Sequence, residues 1–221
     1  MNLRATFITA AAVLSSSASI AAAPAETKAI DDLVTKLAGT ILVTPLTESV
    51  EGKTTACGFE FAGLTRDFST KQGAPVKVIG SYYLRANGSD GLGYSLKLGL
   101  IDGMGAESRP TAPANAFVRS SKGRAPSAKP VRLDSDTPGY ALFLGLVDVD
   151  TTPTVEAILD QKKIVLGYNR KPGQTDVLTT VDLRVAETKM VEGEVKRTYS
   201  DDTVAEFNQC LGALIERLKS K

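Results

Sequence analysis

Apolar side chains fall at every second position in stretch after stretch of this 221-residue chain. Thr55, Cys57, Phe59 and Phe61 do so, as do Val76, Val78, Tyr82 and Leu84, then Tyr94, Leu96, Leu98 and Leu100, and finally Val177, Thr179, Val181, Leu183 and Val185. Period two marks a strand with one face on a core, because successive side chains leave opposite sides of the pleat. Turn-rich segments such as 87–91 and Pro172-Gly173 separate the stretches. They are too short for the crossovers that parallel neighbours require. The pattern predicts a mainly β (α+β) domain, an antiparallel β-sandwich or open barrel with short N-terminal and C-terminal helices.

The two terminal helices are read from period 3.6. Ile30, Leu33, Val34 and Leu37 share a stripe that Gly39 stops. Val204, Phe207, Cys210, Leu211, Leu214, Ile215 and Leu218 share another, with Thr203 and Glu206 as a capping box. A short helix is expected near 152–163, with Thr152 as cap and Pro153 in its first turn. The apolar piece 40–46 is expected to end at Pro45, with a polar loop following it.

Cys57 and Cys210 are the chain's two cysteines, and each lies on the apolar face of its element. They read as a disulfide if the protein is exported. Residues 1–25 predict export: Arg4, then an Ala-rich apolar run, a serine cluster, and Ala23-Pro24-Ala25 as a cleavage site. The expected location is periplasmic or secreted, with 26–221 a single β-rich domain. Cleavage would remove one basic residue and no acid, leaving 25 basic against 25 acidic side chains. That balance argues against nucleic acid as a partner. No second apolar run is long enough for a membrane span.

"GYSLKLGLID" at 93–102 and "GYALFLGLVD" at 139–148 agree at seven of ten positions. The main reading is structural: two central strands in similar surroundings, with Tyr140, Leu142, Leu144 and Leu146 repeating the face of Tyr94, Leu96, Leu98 and Leu100. On that reading the second copy is apolar on both faces. A sharper reading brings Asp102 and Asp148 together at one rim, joined by Asp150, as a carboxylate pair for hydrolysis or cation binding.

The chain contains no histidine. That removes Ser-His-Asp and Cys-His catalysis and His-ligated metals. No phosphate-binding or dinucleotide-binding glycine motif occurs, no catalytic residue is assigned and no cofactor is expected. The segment 103–138 is rich in Gly, Pro, Ala and Ser and reads as an irregular basic loop with one short strand near 116–119. Arg119, Lys122 and Arg124, with Phe117 as an apolar anchor, are the candidate binding residues, facing an anionic envelope component or another protein. The expected role is binding without catalysis. Two alternatives are a small carboxylate-dependent hydrolase and a carrier that holds an apolar ligand inside a barrel.

Overall fold

A computed structural model describes residues 24–87, 91–103, 105, 108–123 and 128–219. Arg124 and nearly all of the segment read as a signal peptide lie outside the described residues. The architecture is antiparallel and β-rich, with a helix at each end of the described chain. Helix α1 is Pro24–Leu37. Strands β1 (Gly39–Val50), β2 (Lys53–Asp67), β3 (Ala74–Ala86) and β4 (Leu92–Asp102) follow as a meander. Strand β5 is Asn115–Arg119, β6 is Val131–Asp134 and β7 is Ala141–Leu146. Helix α2, Thr152–Glu156, continues as a π-helical turn over Ala157–Gln161. Strands β8 (Lys163–Asn169), β9 (Val177–Asp182), β10 (Val185–Val191) and β11 (Glu194–Tyr199) lead to helix α3, Asp202–Lys219.

Six strands form one sheet in the order β1-β2-β3-β4-β7-β6, three form a second in the order β5-β8-β9, and β10-β11 is a separate ribbon. The core joins the inner face of the large sheet to the small sheet and α3. Phe59, Tyr82, Leu96, Phe143, Tyr168 and Phe207 are all fully buried there. These rings and branched chains fill the space between the sheets. The disulfide Cys57–Cys210 pins β2 to α3 across 153 residues. Val204, Phe207, Leu211 and Leu214 flank it on the buried stripe of the helix.

Several local expectations change. Strand β1 runs through Pro45, which stands opposite Phe59. An edge strand tolerates proline, because one side of its backbone donates to no ladder. The turn to β2 falls later, at Glu51-Gly52, both with positive φ. The segment 103–138 holds β6 as well as β5. The N-cap position of α2 is Thr151, not Thr152, and its side chain makes no capping hydrogen bond. Thr203 is buried inside α3, so the expected capping box does not form; the Ser200 hydroxyl accepts from the Asp202 N–H instead.

Candidate functional site

The two similar phrases are hydrogen-bonded neighbours, but antiparallel: Gly93 stands opposite Leu146, Tyr94 opposite Gly145, Leu96 opposite Phe143. In this register each even position of one copy meets an odd position of the other. The copies therefore present opposite faces. Ala141 and Phe143 join Leu96 and Leu98 in the core, while Leu142, Leu144 and Leu146 lie on the outer face, Leu146 being 52% exposed. The expectation that Tyr140, Leu142, Leu144 and Leu146 repeat the inner face is thus reversed. Each copy's tyrosine covers the other copy's second glycine: Tyr94 covers Gly145 inside, and Tyr140 covers Gly99 outside. The same ring-on-glycine pairing joins Phe61 to Gly80 and Phe117 to Gly167. A glycine leaves a gap in the pleated surface, and a cross-strand ring fills it.

Antiparallel pairing also separates the two terminal aspartates. Asp102 ends β4, whereas Val147, just before Asp148, bonds to Leu92 at the opposite end. Ten residue steps along β4, roughly 33 Å, separate the two ends. No rim forms from Asp102, Asp148 and Asp150. Asp148 instead organises the turn into α2, its Oδ1 accepting from the Asp150 N–H at 3.0 Å and from the N–H and hydroxyl of Thr151 at 3.1 and 3.0 Å. Burial pushes its pKa up, but these hydrogen bonds outweigh it and hold the carboxyl below the usual range.

Asp102 meets a different acid through a cation. Arg170, just past β8, donates to Asp102 and to Asp67 at 2.9 Å, and Lys71 sits 3.0 Å from Asp102. Asp67 is 0% exposed and also receives the hydroxyls of Ser69 and Thr70 and both their N–H groups. Burial alone would raise its pKa; donation from Thr70, Arg170 and Ser69 wins and holds it well below the ordinary carboxylate range. A carboxylate so saturated is a poor proton acceptor. The cluster clamps the ends of β2 and β4 to the small sheet.

The basic candidates are dispersed. Phe117 is 6% exposed and packs on Gly167, so it is a core ring and not a surface anchor. Arg119 turns inward to the carbonyls of Ser120 and Gly123. Lys122 is exposed. Among the described residues, no group of three or more Cys, Asp and Glu side chains is placed to hold a metal ion. No helix among them is long and apolar enough to cross a membrane.

The site with uncommitted chemistry lies on the outer face of the large sheet, in a groove of about 300 Å³. Two rows of side chains cross the strands. Thr44, Glu60, Ser81 and Lys97 are successive cross-strand partners and form a polar row. Leu42, Ala62, Ile79 and Gly99 form the parallel row, which is apolar, and the ring of Tyr140 closes it over Gly99. Lys97 donates to Thr137 at 2.7 Å and Asp136 at 3.2 Å, with its Nζ 5.6 Å from the centre of the Tyr140 ring. Glu60 is exposed and makes no ion pair among the described residues. At two strand spacings it stands roughly 10 Å from Lys97. Sequence reasoning missed this groove because its residues sit on the polar side of the alternation, one or two per strand. No family model, curated protein or solved structure matches the chain.

Proposed function

We propose that this chain is an exported binding protein, periplasmic or secreted, whose contact site is the outer groove. The carrying observation is the two-row lining: an apolar row of Leu42, Ala62 and Ile79 beside a polar row of Thr44, Glu60, Ser81 and Lys97. A concave apolar surface with a few placed polar groups is what small ligands or short segments of a partner bind, and about 300 Å³ is the lower end of that size class. Binding is favoured over hydrolysis because Asp67, Asp102 and Asp148 are each held by ion pairs or hydrogen bonds away from the groove. The groove is favoured over the basic segment because Phe117 is buried and Arg119 is turned to carbonyls of its own loop. Support for export comes from residues 1–25 and from the disulfide, a bond that persists in oxidising compartments.

The test uses a neutral, environment-sensitive dye, N-phenyl-1-naphthylamine, titrated into the protein. Wild type is expected to enhance its fluorescence saturably, and Leu42→Glu and Ile79→Glu are each expected to weaken that binding while melting like wild type. No saturable binding by wild type, or equal binding by both folded variants, overturns the groove reading. Export is checked by N-terminal sequencing of the protein recovered outside the cytoplasm. A start at or near Glu26 supports it, and an intact Met1 refutes it.

A further inference from the structure

We infer that the groove selects a cationic amphiphile, an alkyl or aryl group carrying an ammonium or guanidinium, with Glu60 as the partner of the charge. The inference rests on the groove being the binding site and goes further by naming the ligand's chemistry. Among the described residues two charged side chains line the groove, Glu60 and Lys97. Their situations differ. Lys97 is already satisfied: its ammonium donates to Thr137 and Asp136 and lies over Tyr140. An incoming anion would have to compete with Asp136 and draw the ammonium away from the ring. Glu60 has no cation paired with it among the described residues and sits in the polar row on the solvent-open side of the sheet. Its nearest cross-strand neighbours, Thr44 and Ser81, are hydroxyl residues.

Charge elsewhere on this face agrees. Glu48 acts together with Glu60 on the Tyr83 hydroxyl, both raising its pKa after burial has done so. The field at this end of the face therefore has a negative component beyond Glu60 itself, offset in part by Arg85. The uncommitted Lys77 does not line the groove and lies four strand positions from the Glu60 row, roughly 13 Å away. An ammonium beside Glu60 places its apolar body on the adjacent row, about two strand positions or 7 Å along, over Ala62, Ile79 and the Leu42 side chain, which is 40% exposed. Apolar contact supplies most of the affinity and the carboxylate supplies the selection by charge.

The experiment displaces the neutral naphthylamine dye with three eight-carbon probes at pH 7: octylammonium, octanol and octanoate. Octylammonium is expected to displace the dye at a concentration roughly fivefold lower than octanol, the upper range for a solvent-facing ion pair. Octanoate is expected to be the weakest. Glu60→Gln is expected to bring octylammonium level with octanol, each displacement being read against that variant's own dye affinity. Dye binding with no preference for octylammonium, or a preference that survives Glu60→Gln, overturns the ligand class while leaving the groove intact as a site. A preference for octanoate points to Lys97 and also overturns it. Absence of saturable dye binding, by contrast, removes the groove reading itself.

Discussion

Alanine at the two mirrored glycines separates two effects that normally travel together. Alanine in a strand interior is favoured over glycine by roughly 0.5–1 kcal/mol, since glycine loses more backbone freedom on folding. With open space at both sites, Gly145→Ala and Gly99→Ala would both stabilise. Neither site is open. A Cβ on Gly145 would lie 2.5 Å from the Tyr94 ring, and one on Gly99 would lie 2.8 Å from the Tyr140 ring. The rings differ in their freedom to retreat. Tyr94 is buried, with its ring stacked on Tyr82 at 6.1 Å. Tyr140 is half-buried at the rim of the groove and can swing toward solvent. Overpacking a closed core costs about 1–3 kcal/mol. Net of the backbone gain, Gly145→Ala is therefore expected to destabilise by roughly 0.5–2 kcal/mol, lowering Tm by roughly 1–8 °C for a domain of this size. Gly99→Ala is expected to change stability by less than about 0.5 kcal/mol, while disturbing dye binding in the groove. Urea unfolding of both variants, with Tyr94→Leu and the Gly145→Ala, Tyr94→Leu double variant, gives the coupling energy. Equal effects at the two glycines, or a stabilised Gly145→Ala, would refute the ring-on-glycine account.

Three further perturbations address the rest of the fold. Replacing both Cys57 and Cys210 by Ala opens a loop of 153 residues; chain entropy sets a ceiling of about 5 kcal/mol, and a loss of roughly 2–4 is expected, with amides of α3 exchanging first by hydrogen exchange. An unchanged urea midpoint in the folded double variant would contradict this. Arg170→Met leaves Asp67 buried without its cation and is expected to cost roughly 3–5 kcal/mol in urea unfolding, whereas a loss below about 1 kcal/mol would mean that Ser69 and Thr70 suffice. Because the folded pKa of Asp67 lies below its unfolded value near 3.9, its contribution is fully present above about pH 4 and drains away as pH falls below it. Asp67→Asn is expected to be less stable at neutral pH and to lose less on going from pH 5 to pH 2, measured by urea midpoints; a parallel pH profile for the two proteins would refute the assignment.

What was legible in the chain was whatever depends on near neighbours. Period-two alternation placed Cys57, Phe59 and Phe61 on one face, and period 3.6 placed Cys210 on the buried stripe of α3. Those two local facts made the disulfide readable before any fold was known, because both sulfurs had to point at the same core. The β3–β4 hairpin and the one over Pro172-Gly173 followed from turn chemistry, and the antiparallel class followed from the hairpins. Strand β6 was illegible because four exposed residues carry too little pattern to stand out in a segment rich in Gly, Pro and Ser.

Register and pairing were decided only in three dimensions. Similar phrases suggest similar faces, yet the antiparallel register of β4 and β7 turns Tyr94 inward and Tyr140 outward and sends Asp102 and Asp148 to opposite ends of the sheet. A shift of one residue exchanges the two faces of a strand, and nothing within either phrase specifies that shift. The groove has the same origin. Thr44, Glu60, Ser81 and Lys97 are spread over 54 positions of chain and become a row only when four strands are aligned. By itself the sequence determined the buried faces of β2, β3 and β4, the turn at Pro172-Gly173 and which two sulfurs meet. The tertiary structure decided which outward-facing side chains stand next to one another, because strand spacing and register, not distance along the chain, set those neighbours.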